Sequence, residues 1–105
     1  MKTLFIINRK VPKNHRIPFT LIKGLQKTEE KIGILFIQNG VYNEIESVKD
    51  NTLKDQDRPV VNIYFLKPDM LARGLENKIK KDAKLVDYDG FLDLVVNEYE
   101  RIVNW

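Results

Sequence analysis

The chain has 105 residues, 43% of them apolar and 31% charged, with a net charge of +3. That length supports one packed core and excludes two, so a single domain over residues 1–105 is expected, without extended disorder. The absence of cysteine excludes disulfides, thiolate metal ligands and a thiol nucleophile, and a lone histidine, His15, argues against a zinc or haem site.

Thr3 to Ile7 is a short apolar run rich in β-formers and without strict alternation, which suits a strand buried on both faces. It is too short for a membrane span or a signal-peptide core, so a cytoplasmic location and no membrane contact are expected. Asn8 to Pro18 is a long basic connection carrying Arg9, Lys10, Lys13, His15 and Arg16. Ile17 to Lys27 then spaces Ile17, Leu21, Ile22 and Leu25 for one helical stripe. Ile32 to Ile37 is a second strand, and Val41 to Val48 fits a short helix. Lys49 to Pro59 is a polar, mixed-charge loop, read as solvated. Val60 to Leu66 is a third strand. Pro68 to Gly74 places proline in the first helical turn, Asp69 beside it, and glycine at the closing position. Ala83 to Val86 is a fourth, shorter strand. The last helix is expected to start on Asp89 as its N-cap. Phe91, Leu92, Val95, Val96, Tyr99, Ile102 and Val103 recur along it at helical spacing.

Four strands alternating with helices imply an α/β fold, a three-layer sandwich whose mainly parallel sheet is flanked by helices. In an open parallel sheet, ligands bind outside the carboxyl ends of the strands. Here that edge comprises residues 8–18, 38–41, 67–69 and 88–90. Gly40, in Gln38-Asn39-Gly40, serves either a positive φ angle or a close backbone approach. The amides after it could meet an anion or a partner's carboxylate, or the loop is only a tight turn. Arg73 is either a cation favouring a helix carboxyl end or an interface contact. Arg9, Lys10, Lys13 and Arg16 could contact phosphate or an acidic surface, but no aromatics interleave them for base stacking. The pI of about 9.1 fits such partners without indicating one. Ser47, the sole serine, lacks a nucleophile elbow, and neither a dinucleotide fingerprint nor a Walker loop is present. Trp105 either folds back on its own sheet or anchors in another subunit.

Gln38-Asn39-Gly40-Val41, Asp69-x-Leu71-Ala72-Arg73-Gly74, Asp87-Tyr88-x-x-Phe91 and the final Trp105 occur in an order that resembles the DsrH/TusB family. The resemblance covers the last 70 or so residues well and the first 30 by pattern only. It implies a DsrE-like α/β fold. It also implies partnership with DsrE/DsrF-like (TusD/TusC-like) subunits and a TusA-like sulfur carrier, or self-association where no sister subunit is present. Relatives pass sulfur as a persulfide to the tRNA wobble uridine, or serve sulfur oxidation. The resemblance places Gln38, Asn39, Gly40, Val41, Arg73, Gly74 and Trp105 at an interface or ligand edge, with no catalytic residue and no cofactor. Some members of the family carry a cysteine in the first strand-helix unit; residues 8–27 here hold none. A persulfide requires a thiolate. The expected role is therefore a non-catalytic subunit, and the alternative is a stand-alone ligand- or RNA-binding α/β domain.

Overall fold

Three apolar runs, at the start, middle and centre-right of the sequence, become the core strands of one parallel sheet. In the computed structural model, which describes residues 1–10, 31–43, 61–75, 77 and 83–104, β1 spans Lys2–Ile7, β2 Lys31–Phe36 and β3 Val61–Leu66. β4 covers Ala83–Val86 and β5 Arg101–Asn104. The helical segments are a 3₁₀ turn at Gln38–Tyr42, α1 at Lys67–Ala72, α2 at Tyr88–Asp93 and a π turn at Leu94–Glu98. The expected helix over 17–27, residues 44–48 of the second, the 49–59 loop, and Lys13, His15, Arg16 and Trp105 lie outside the described residues.

The sheet order is β4-β3-β2-β1-β5, and every pairing is parallel. The chain winds outward from β1 to β4, then returns to place β5 on the other side of β1. Right-handed crossovers therefore put the β3–β4 connection and the β4–β5 connection on opposite faces. The packing agrees. Met70 of α1 joins Phe5, Ile7, Ile34, Phe36, Ile63 and Phe65 on one face. Leu94 and Tyr99 join Leu4, Ile6, Leu35 and Tyr64 on the other. The alternation of side chains along each strand explains why the runs are apolar throughout: both faces are dry. Phe5, Phe36 and Phe65 are buried, each contributing about 1.5–3 kcal/mol of apolar transfer. The Phe36 and Phe65 rings meet at 4.9 Å between centroids.

The four expected strands form within one residue of their expected ends. The fifth corrects the sequence reading, which carried the last helix through Ile102 and Val103. Instead the helix ends at Glu98. Ile102 packs on the Tyr99 face and Val103 on the Phe5 face. A helix cannot send adjacent residues to opposite sides of a sheet; a strand does so necessarily. The open edge of β1 also needs partners for its backbone groups, and β5 supplies them in register from Thr3↔Arg101 to Ile6↔Asn104. The π turn prepares this exit. Its bond from the Tyr99 amide to the Leu94 carbonyl, 3.0 Å, widens the last turn so that Leu94 and Tyr99 face the same core. The helix start is likewise displaced. The N-cap is Asp87, not Asp89, and its Oδ1 accepts the Gly90 amide at 2.7 Å.

α1 follows the sequence grammar closely. Pro68 lies in its first turn, where the missing amide costs nothing. Gly74, at φ +65°, closes it as a Schellman motif. The Leu75 amide bonds the Met70 carbonyl at 2.9 Å and the Gly74 amide bonds the Leu71 carbonyl at 3.1 Å. Leu75 then packs against the core beside Met70.

Candidate functional site: the carboxyl edge of the sheet

The loop after β2 and the helix after β3 are braced to each other at the carboxyl edge. Gln38 takes a left-handed φ of 50°, a conformation that non-glycine residues adopt at a cost of about 1–2 kcal/mol. Its amide donates to Asp69 Oδ2 at 2.7 Å. Asp69 lies one turn before Arg73 on α1, and Arg73 Nη1 reaches Asp69 Oδ1 at 3.6 Å and the Asp69 carbonyl at 3.1 Å. The same guanidinium closes a fork on Asn39 Oδ1, from Nε at 3.3 Å and Nη2 at 3.1 Å. It also stands 5.9 Å from the centroid of the half-exposed Tyr42 ring. Arg73 is thus engaged within its own chain on three sides, its planar fork suited to that geometry.

Gly40 resolves the alternative left open by the sequence. Its φ is not positive. A Cβ at Gly40 would collide with the carbonyl oxygen of Ile7 at the end of β1. The position therefore demands glycine for close backbone approach. That same carbonyl accepts the Ile37 amide at 3.0 Å. Asn43, buried and absent from the sequence expectations, completes the tie: its Nδ2 donates to the Arg9 and Gly40 carbonyls, both at 2.8 Å. Val41 is buried in the core beside Met70. Gln38 and Asn39 remain exposed.

Of the expected site residues, the structure brings Gln38, Asn39, Gly40, Val41 and Arg73 together, with Gly74 closing the helix that carries Arg73. Arg9 and Lys10 are exposed just past the end of β1. They stand where the strand order reverses, between β1 and β5, the position at which open α/β sheets commonly hold ligands. Asp69, Tyr42 and Asn43 were missed as partners. Asp69 is four residues before Arg73, a spacing that signals a helical ion pair. Contacts across 31 or 34 residues, such as Gln38 to Asp69 and Asn39 to Arg73, carry no local signal.

A second polar group is buried mid-sheet, on the face that carries Leu94. Tyr64 and Tyr99 bring their hydroxyls to 3.2 Å in the buried second face, with rings edge to face at 6.4 Å. Gly33 makes room, since the Tyr99 hydroxyl fills the space of a Cβ there. Burial, reinforced by the Tyr64 hydroxyl and partly offset by Asn62, pushes the Tyr99 phenol far above its ordinary value. Lys31 Nζ stands 5.0 Å from the centroid of the Tyr99 ring and bonds Glu98 at 3.3 Å. The pair reads as a satisfied core contact holding the π turn to β3.

The model of the family described as DsrH like protein matches residues 19–100, most of the chain. The chain belongs to the DsrH family. Among curated relatives, Protein TusB of Escherichia coli strain K12 is 30% identical over 87 residues, covering 78% of this chain and 86% of the relative. Protein TusB of Pectobacterium carotovorum subsp. carotovorum strain PC1 is 29% identical over 83 residues, 79% of this chain and 82% of the relative. Protein TusB of Yersinia pestis strain Pestoides F is 33% identical over 70 residues, 66% of this chain and 70% of the relative. Among the described residues, no helix is long and apolar enough to cross a membrane.

Proposed function

We propose that this DsrH-family chain is a non-catalytic subunit of a sulfur-relay assembly, acting in the cytoplasm. The observation that carries the reading is family membership in a chain without a single cysteine. A sulfane sulfur travels as a persulfide and needs a thiolate to hold it. The thiol must come from sister subunits of DsrE/DsrF (TusD/TusC) type, charged by a TusA-like carrier. What this chain contributes is surface and stability. The similarity to proteins named TusB favours tRNA wobble uridine 2-thiolation over sulfur oxidation as the destination. The loop braced at Gly40, with Gln38 and Asn39 exposed on it and Arg73 behind, offers a rigid edge for a sister subunit. The Gln38 backbone amide and the Asn39 side chain are already held by hydrogen bonds, which lowers the ordering cost of docking.

The test is co-expression with TusC-like and TusD-like subunits, followed by native mass spectrometry. Co-purification in a fixed stoichiometry is the expected result. A chain that stays apart from both subunits overturns the reading. The exposed Arg9 and Lys10 at the sheet's switch point favour a second reading, RNA binding by the isolated chain. That reading requires tRNA affinity that falls steeply with salt, and no binding at low salt removes it.

A further inference from the structure

The carboxyl-edge brace is built on a chemically labile pair. Of the asparagines in the chain, only Asn39 is followed by glycine. A glycine amide has no side chain to shield it, so it can attack the side-chain carbonyl of a preceding asparagine and close a cyclic imide. Packing fixes both residues. Gly40 must be glycine, because a Cβ there meets the Ile7 carbonyl oxygen. Asn39 supplies the Oδ1 that accepts the Arg73 fork. Asn39 is also exposed, so water reaches it.

The fold opposes ring closure. Asn39 lies inside the 3₁₀ turn, where ψ of about −20 to −30° keeps the Gly40 nitrogen away from the Asn39 Cγ. The Gly40 amide, which would be the nucleophile, donates to the Ile37 carbonyl at 2.8 Å. Arg73 grips Asn39 Oδ1 from Nε at 3.3 Å and from Nη2 at 3.1 Å, which fixes the side chain. The reacting atoms must align for such a step, so it proceeds only when the turn opens locally.

We propose that Asn39 is a deamidation site held shut by the Arg73 fork, and that isoaspartate formed there breaks the carboxyl edge. The deprotonated Gly40 nitrogen bonds to Asn39 Cγ, the Cγ–Nδ2 bond breaks, and ammonia leaves with the proton. Water then opens the imide to aspartate or isoaspartate, with no oxidation or reduction. Isoaspartate routes the main chain through Cβ and so lengthens the link into Gly40. Gly40 sits hard against Ile7, and its carbonyl accepts Asn43 Nδ2 at 2.8 Å, so the longer link displaces it. Aspartate leaves the backbone path unchanged and offers Arg73 a carboxylate. The site belongs to the chain alone and does not depend on the relay reading.

The test is incubation of the full chain at mildly alkaline pH, with residue 39 followed by peptide mapping and mass spectrometry. The mass change from amide to acid separates it from Asp89-Gly90, whose rearrangement through the same kind of imide leaves the mass unchanged. Folded wild type should deamidate at Asn39 about tenfold or more slower than the same chain in urea. Arg73→Ala should deamidate about threefold or more faster than folded wild type. Asp87→Ala, which loosens the fold at the distant α2 N-cap, should match wild type. A purified chain with isoaspartate at position 39 should unfold at lower urea than Asn39→Asp, whose backbone is unaltered. Equal rates in folded and urea-treated wild type overturn the proposal. So do an Arg73→Ala rate no faster than wild type or matched by Asp87→Ala, and an isoaspartate chain as stable as Asn39→Asp.

Discussion

Two residues set conditions on their neighbours that single substitutions expose. Gly40 lies so close to the Ile7 carbonyl that any side chain must displace the end of β1. Gly40→Ala should cost about 1–3 kcal/mol, read as a lower urea midpoint with an unchanged slope. An unchanged midpoint would mean that the approach relaxes freely. Tyr99 shares a buried hydrogen bond with Tyr64, so Tyr99→Phe should cost about 1–2 kcal/mol. It should also change the alkaline behaviour. Burial raises the folded-state pKa of Tyr99 above the unfolded value near 10. Above that value the unfolded chain releases a proton that the folded chain retains, so stability should fall as pH rises past about 10. Denaturant titrations at increasing pH should show this fall in wild type and a shallower one in Tyr99→Phe. Parallel curves would contradict the assignment.

Elements were legible in proportion to how local their signals are. β1, β2 and β3 announce themselves as apolar runs because both faces of the central sheet are buried. α1 was readable to its last residue because proline, aspartate and glycine act on the backbone nearest to them. β5 was hidden. Tyr99, Ile102 and Val103 satisfy helical spacing, and only the open edge of β1 decides against it. The adjacent β-branched pair Ile102-Val103 was the available hint. The N-cap was misplaced by two residues because Asp87 and Asp89 are equally suitable in composition; the Gly90 amide chose Asp87. Asp87→Ala should therefore destabilise by about 1 kcal/mol and Asp89→Ala by much less, as compared by thermal melts. The carboxyl-edge brace joins residues 34 apart in sequence and was legible only as separate motifs. A double-mutant cycle on Asn39→Ala and Arg73→Ala should give a coupling of about 0.5–1 kcal/mol. Additive costs would show the fork to be idle.

At the scale of the whole molecule, the chain is a parallel sheet with a braced carboxyl edge, basic residues at its switch point and exposed Tyr88, Leu92 and Val96 along the outer side of α2 and the π turn. Its composition removes the chemistry that a sulfur relay requires of at least one member, and its DsrH membership is what the proposed place beside such members rests on. The most direct measurement reconstitutes the relay from a TusA-like persulfide donor and TusC-like and TusD-like subunits, with and without this chain, following labelled sulfur onto the sister cysteine. The account predicts that transfer requires the chain, that the chain is present in the transferring complex, and that its own mass never rises by a sulfur atom. Transfer at the same rate in its absence, with the chain remaining a separate species in the mixture, would contradict it.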